Sequence, residues 1–321
     1  MTSVAVLIPC FNEEAAIGKV VADFRAALPQ ATVYVYDNNS TDNTMERARA
    51  AGAVVRREPL QGKGHVVRRM FADIEADLYV LVDGDDTYDA ASTPALIAQL
   101  LEEQLDMVNG ARVTEIKQAY RLGHRFGNQL LTGIVAQIFG NRIQDMLSGF
   151  RVFSRRFVKS FPALSAGFET ETELTVHALS LNMPIAEVPT PYKDRPEGSV
   201  SKLRTYRDGL RILRTILILV KEERPLLFFS SVFALFSLVS IVLAWPLFTT
   251  FLATGQVPRL PTAVLATGIM LLAFLALTCG LILDTVTRGR RELKRLRYLA
   301  LTAPGVVLAP ALAPIPADGG L

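Results

Sequence analysis

The 321-residue chain is long enough for two units, and 50% of it is hydrophobic, with a mean hydropathy of +0.29. That fraction is high for a purely soluble protein. A net charge of +3 points to no partner by itself, and the two cysteines, Cys10 and Cys279, fall in different regions, so neither a disulfide framework nor a cysteine metal site is supported.

Ser3 to Ile8 predicts a first strand. It begins almost at Met1, with no basic stretch before it and too short an apolar run for a signal peptide, so the polar N-terminal part is expected to stay in the cytosol. The strand runs into Pro9-Cys10-Phe11-Asn12-Glu13-Glu14, after which Ile17, Val20, Val21 and Phe24 give Ala15 to Leu28 helical spacing. Thr32 to Tyr36 is a β-branched and aromatic strand ending in Asp37-Asn38-Asn39-Ser40-Thr41-Asp42, a loop whose last residues cap a helix from about Asn43. A third strand, Ala53 to Arg57, leads to Gln61-Gly62-Lys63-Gly64 and a helix to about Glu75. The apolar run Leu78 to Val82 then stops at Asp83-Gly84-Asp85-Asp86. Strand and helix thus alternate with short connections, the pattern of a parallel sheet covered by helices.

In such sheets ligands sit outside the carboxyl ends of the strands, where each of these polar clusters falls. If the backbone stays extended, Asp83 and Asp85 point to one side and share a divalent cation; hard oxygen ligands suit Mg²⁺ or Mn²⁺ held with a substrate phosphate. The bland alternative is a solvated acidic turn after a core strand. Further on, Asp106 to Arg112 reads as a strand ending in an arginine, and Arg121 and Arg125 stand at i, i+4 on one helical face. Arginines there suit phosphate oxygens or are ordinary surface residues. Asp145 and Ser148 either hydrogen-bond a ligand or cap a helix. Glu169, Glu171 and Glu173 open a helix, where the dipole favours acids. Ile185 to Val188 is a last strand, followed by a polar loop from Tyr192 to Lys202 long enough to be a lid.

The second half changes character. Leu203, Tyr206, Leu210, Leu213 and Leu217 recur at helical spacing beside a stripe of Arg204, Arg207, Arg211 and Arg214, which fits a helix lying in the headgroup layer. Pro225 to Val257 and Leu260 to Leu283 carry no charge, each longer than the roughly 20 residues that span a bilayer. Lys221 and Arg224 precede the pair, and Arg288, Arg290, Arg291, Lys294, Arg295 and Arg297 follow it, so both flanks are expected on the cytosolic side of a hairpin with an outer loop at Gly255 to Pro261. Ala303 to Leu321 is rich in Pro, Ala and Gly and is expected to be a disordered tail.

Pro9 to Glu14, Asp37 to Asp42, Gly62-Lys63-Gly64 and Asp83-Gly84-Asp85, in that order and spacing, resemble the family 2 glycosyltransferases. Within them the chain is most similar to the polyprenyl-phosphate glycosyltransferases, over about residues 3 to 205 and in the paired apolar helices. The resemblance implies an α/β fold of the GT-A type, Rossmann-like with a mostly parallel sheet. The expected domains are a catalytic domain over 1–200, an interfacial amphipathic helix over 201–224, two transmembrane helices over 225–285, and a basic segment with a tail over 286–321. It implies a nucleotide site made by Pro9, Phe11, Asn12, Glu13, Asp37, Asn39, Lys63, Asp83 and Gly84. Asp83 and Asp85 would hold Mg²⁺ or Mn²⁺, with Asp85 the principal ligand. Arg112 and Arg121 would serve catalysis and, with Arg125, Arg195, Ser201 and Lys202, bind the acceptor phosphate. Many relatives have an acid where Asn38 stands, which leaves the base open; the bacterial relatives favour a UDP-sugar.

The implied activity is inverting, metal-dependent transfer of a sugar from a nucleotide sugar to undecaprenyl or dolichyl phosphate at the cytosolic face of the inner membrane. The protein is expected to be multi-pass, with its catalytic domain and C-terminus cytosolic. Its expected partners are the nucleotide sugar, the polyprenyl phosphate and the bilayer, but not nucleic acid. Two spans bury little, which leaves room for a homo-oligomer, and are too few for a pore, so a flippase or membrane glycosyltransferase would act downstream. The alternatives are a processive polysaccharide synthase, whose Gln-x-x-Arg-Trp motif is absent since the one Trp is Trp245 in an apolar run, a non-catalytic membrane-tethered nucleotide-sugar-binding protein, and a soluble nucleotidyltransferase.

Overall fold

The computed structural model describes residues 2–113, 143–164, 169–194 and 220–305, with the single residues 133, 167, 217 and 218. Arg121, Arg125, Arg195, Ser201 and Lys202, the amphipathic stretch up to 216 and the tail beyond Gly305 lie outside the described residues. The chain packs as two compact units, one of Met1–Lys202 with Leu296–Leu321 and one of Leu203–Arg295.

The first unit follows the alternation predicted from periodicity. Its elements are β1 (Val4–Cys10), α1 (Ile17–Ala27), β2 (Thr32–Asp37), α2 (Thr44–Ala50), β3 (Val54–Arg57), α3 (Lys63–Asp73), β4 (Leu78–Leu81), α4 (Thr93–Glu102), β5 (Met107–Val113), β6 (Arg151–Ser154), α5 (Arg155–Ser160), α6 (Thr170–Ser180) and β7 (Ile185–Pro191). The strands form one sheet in the order β3-β2-β1-β4-β6-β5-β7. All pairings are parallel except those of β6, which runs antiparallel to both β4 and β5. The order reverses between β1 and β4, which opens a crevice at their carboxyl ends.

Burial explains why these residues make these elements. β1 and β4 are apolar on both faces, as central parallel strands covered by helices must be, and Val6, Leu7, Ile8, Leu78, Tyr79 and Val80 are fully buried. Ile17, Val20, Val21 and Phe24 of α1 form the stripe that packs on this sheet. Phe24 meets Phe150 edge to face at 6.2 Å, so the segment before β6 is anchored in the same core.

The second unit contains α7 (Pro225–Thr254) and α8 (Leu260–Leu299), both long and apolar enough to cross a membrane. Ala266, Ala273, Gly280 and Thr287, seven residues apart along α8, are its buried positions. Small side chains there let the helices approach closely: a Cβ at Gly280 would lie 2.8 Å from Phe229 Cβ. Ser240 Oγ donates to the Ala266 carbonyl at 2.8 Å, and Arg291 and Lys294 pair with Glu223 at the polar end.

The last turn of α8 belongs to the first unit. There Tyr298 Oη donates to Asp106 Oδ2 at 2.7 Å, and its ring carries the Arg156 guanidinium at 4.7 Å. Asp106 is fully buried and also receives Ser154 Oγ and Arg156 Nε. Pro304, at the start of the expected tail, is buried.

Candidate active site

The loops after β1 and β2 are stitched together by side chains. Asn12, at φ 52°, accepts from the Thr41 N–H on Oδ1, while its own N–H donates to Ser40 Oγ. Glu13 N–H donates to Thr44 Oγ1, and the Glu13 carbonyl takes the first N–H groups of α1. Pro9 sits opposite Tyr36 in the β1–β2 register, with Phe11 half-buried just beyond.

Asn38 and Asn39 are braces. Asn38 Nδ2 donates to the Glu58 and Leu60 carbonyls, and its Oδ1 accepts from Gly62 N–H, so its amide sets the loop that enters α3. An acid at this position could accept from Gly62 but not donate to the carbonyls. Asn39 Nδ2 donates to the Pro59 carbonyl, and its Oδ1 accepts from Arg57 Nε. Asp37 differs: one oxygen accepts from Ser40 N–H, while Oδ1 is buried without a hydrogen-bond partner among the described residues.

The carboxylate pair does not take the extended form expected of it. β4 ends at Leu81, and the backbone bends through Gly84 to Asp86, where φ is 59°. The reason is packing, because a Cβ at 84 would lie 2.6 Å from Cys10 Sγ and Gly84 lets the ends of β1 and β4 close on each other. Asp83 and Asp85 then have separate surroundings. Asp85 is buried, its Oδ1 accepting from Thr87 Oγ1 at 2.6 Å and Thr87 N–H at 3.3 Å. Asp86 points away and pairs with Lys19 of α1.

Asp83 faces Lys63 and Gly149. Lys63 Nζ lies 2.5 Å from Asp83 Oδ1 and 2.5 Å from Oε1 of Glu171, at the start of α6. Burial alone would lower this ammonium's pKa, but the two carboxylates outweigh it and hold the group above its ordinary value. A Cβ at Gly149 would lie 2.3 Å from Asp83 Oδ2, so the 145–151 segment comes this close only because residue 149 has no side chain. Gly149 N–H donates to the Tyr88 hydroxyl at 2.7 Å, which ties the segment to the Asp83–Tyr88 turn.

Arg112, read from the sequence as a phosphate contact, and Asp145, read as a ligand contact or a helix cap, are partners. The guanidinium grips Asp145 in a two-pronged pair at 2.8 Å on each oxygen, and the Arg112 guanidinium carbon lies 5.6 Å from the centroid of the Tyr192 ring. Burial would raise the Asp145 carboxyl, but Arg112 overrides it and holds the acid below its usual range. Ser148 is buried and bonded to the Gly110 carbonyl and Phe150 N–H, so it shapes the segment from inside.

Tyr88 and Arg151 had no signal of their own in the sequence, whereas Glu171 was legible among three acids at a helix start, though not its partner Lys63. Arg151 is fully buried under the segment, donating to the Met146 and Ser148 carbonyls and to Thr175 Oγ1.

Chemically, the crevice offers hard carboxylate oxygens from Asp83 and Asp85 and a buried acceptor on Asp37. These donors fit a magnesium or manganese ion whose remaining ligands come from a diphosphate. Among the described residues no group of three or more His, Cys, Asp or Glu side chains is placed to hold a metal ion by itself.

Comparison with known proteins agrees with this geometry. Residues 5–161 match the model of the glycosyl transferase family 2 domain. The chain is 36% identical to glycosyltransferase AglJ of Haloferax volcanii over 232 residues, 72% of this chain and 76% of that one. It is 30% identical over 221 residues to a dolichyl-phosphate hexose transferase of the same organism, 68% of this chain and 95% of that one. Glucosyl-3-phosphoglycerate synthase of Mycobacterium tuberculosis, solved with Mn²⁺, UDP and glucosyl-3-phosphoglycerate, superposes with a TM-score of 0.54 at 25% identity, over 68% of this chain and 79% of that one. With its mixed sheet, its carboxylate turn at the crevice and these relatives, the chain belongs to the family 2 glycosyltransferases and has the GT-A fold.

Proposed function

We propose that this glycosyltransferase moves a hexose, with inversion, from a UDP-sugar to a polyprenyl phosphate at the cytosolic face of a membrane, using Mg²⁺ or Mn²⁺. The observation that carries the reading is the joining, in one family 2 chain, of an Asp83–Asp85 turn at the sheet crevice to two helices of membrane-crossing length. The dolichyl-phosphate hexose transferase relative supports the lipid acceptor, and the mycobacterial synthase supports the nucleotide and metal.

The residues explain why such an acceptor suits this site. A lipid phosphate is ionised at neutral pH, so its oxygen attacks the anomeric carbon without a general base. Departure of the nucleoside diphosphate is the harder part, and a divalent cation held by Asp83 and Asp85 supplies charge compensation there. Arg112, with Arg121, Arg125, Arg195, Ser201 and Lys202, is assigned to the acceptor phosphate; Asp145 fixes the Arg112 fork in one orientation. Pro9, Phe11, Glu13 and Asp37 are assigned to the nucleoside. Uracil presents a single ring N–H donor, which matches the one orphan oxygen of Asp37, whereas guanine presents two adjacent donors and Asn38 has its oxygen occupied by Gly62.

The reading is tested by incubating the purified full chain with undecaprenyl phosphate, Mn²⁺ or Mg²⁺ and a panel of UDP- and GDP-sugars, with lipid products read by mass spectrometry. A sugar phosphate-linked lipid from a UDP donor is expected; no lipid product from any donor overturns the proposal.

Gly149→Ala probes the fit around Asp83. The added methyl has to displace the carboxylate, and a shift of about 1 Å in such a group lowers turnover by up to about 10²-fold. The loss should appear in steady-state transfer with thermal stability reduced by about 1–3 kcal/mol. Wild-type turnover would mean that the Asp83 position is unimportant.

A further inference from the structure

Lys63, Asp83 and Glu171 come from three different elements and meet at one part-buried point. Lys63 opens α3, Asp83 follows β4 and Glu171 begins α6. The ammonium touches one oxygen of each acid at 2.5 Å, with side-chain exposures of 11% for Lys63, 7% for Glu171 and 32% for Asp83. Two carboxylates share this one ammonium, while the buried Arg151 guanidinium, which also feels the Glu171 charge, spends its donors on the Met146 and Ser148 carbonyls and on Thr175; two acids converging on one point suit a cation of higher valence than an ammonium. The second Glu171 oxygen, Oε2, is buried and has no hydrogen-bond partner among the described residues. Buried carboxylate oxygens are normally satisfied, and this one lacks what a metal ion would supply.

The position of Lys63 explains how such a site would stay closed. Its backbone sits at the N-terminus of an 11-residue helix, directly after the loop that Asn38 braces beside Asp37. A flexible lysine stem rooted there can exchange a carboxylate for a phosphate oxygen without moving the helix. Building on the proposed nucleotide and metal chemistry, we propose that the Lys63 ammonium is a resident counterion occupying a divalent-cation position between Asp83 and Glu171. A nucleotide diphosphate draws it away, so the metal enters only with the nucleotide and Glu171 joins Asp83 in holding it. No bond is made or broken; one cation replaces another on the same two acids.

The test measures Mn²⁺ binding rather than transfer, by the paramagnetic resonance signal of free Mn²⁺ over the purified full chain in detergent, with and without UDP. In the wild type, UDP should tighten Mn²⁺ binding about tenfold or more, and Mn²⁺ should tighten UDP by the same factor, since coupling is reciprocal. Lys63→Met should bind Mn²⁺ without UDP about tenfold more tightly than the wild type, and the coupling should fall by a similar factor to the part that direct ligation by the diphosphate supplies. Lys63→Met with Glu171→Gln should lose that gain. Glu171→Gln alone, nearly isosteric and expected to fold, should weaken Mn²⁺ binding in the presence of UDP by about tenfold. The proposal is overturned if Lys63→Met still binds UDP but gains no affinity for Mn²⁺, or if Glu171→Gln binds Mn²⁺ as the wild type does. Wild-type protein that binds UDP and Mn²⁺ independently would sink the underlying nucleotide–metal reading as well, which separates the two failures.

Discussion

Asp85→Asn is expected to leave a folded protein whose transfer rate is lower by about 10³-fold, the scale on which a positioned charge acts at a developing anion. The substitution is clean for a structural reason. Asp85 Oδ1 accepts from the Thr87 hydroxyl and N–H, and the amide oxygen of asparagine accepts both bonds in the same place. What disappears is one negative charge on a hard oxygen ligand, which the proposed cation needs. Transfer of labelled sugar at saturating Mn²⁺, beside a melting curve in detergent, makes the check; turnover close to the wild type would remove Asp85 from the metal site.

Arg151→Met acts on stability instead. The guanidinium is 0% exposed and makes its bonds to the Met146 and Ser148 carbonyls, Thr175 Oγ1 and, weakly, Met107 Sδ. Burial pulls its pKa down, while the charges of Glu171 and Asp145 oppose that and help keep it charged. Methionine fills similar space but donates nothing, so two buried carbonyls in the segment carrying Asp145 and Gly149 lose their donors. The cost is about 3 kcal/mol or more, which for a unit of this size lowers the melting temperature by about 6–12 °C. Arg151→Lys should fall between, because an ammonium cannot reproduce the planar fork. An unchanged melting temperature for Arg151→Met would show that water reaches these carbonyls.

The alternating half of the fold was legible because its signals are local. β1, β2 and β4 announce themselves by unbroken apolar or β-branched runs, and their carboxyl ends by the polar clusters that follow. The two apolar helices are legible from length and lack of charge alone. β6 was not legible: it has four residues and begins with a charged one, and nothing local says that Arg151 will be buried among carbonyls. The site was legible as a set of loops but not as a set of pairs. Arg112 and Asp145 stand 33 residues apart, and Lys63 and Glu171 stand 108 apart, so which acid each base would meet depends on the folded sheet. The side-by-side carboxylates expected of an extended strand gave way to a bend because Gly84 packs on Cys10.

The return of the chain to its first unit at Leu296 makes the helical pair an insertion rather than an appendage. A chain shortened before Leu296 would take Tyr298 away from Asp106 and Arg156, so the first unit is complete only with residues that lie beyond both apolar helices in the sequence.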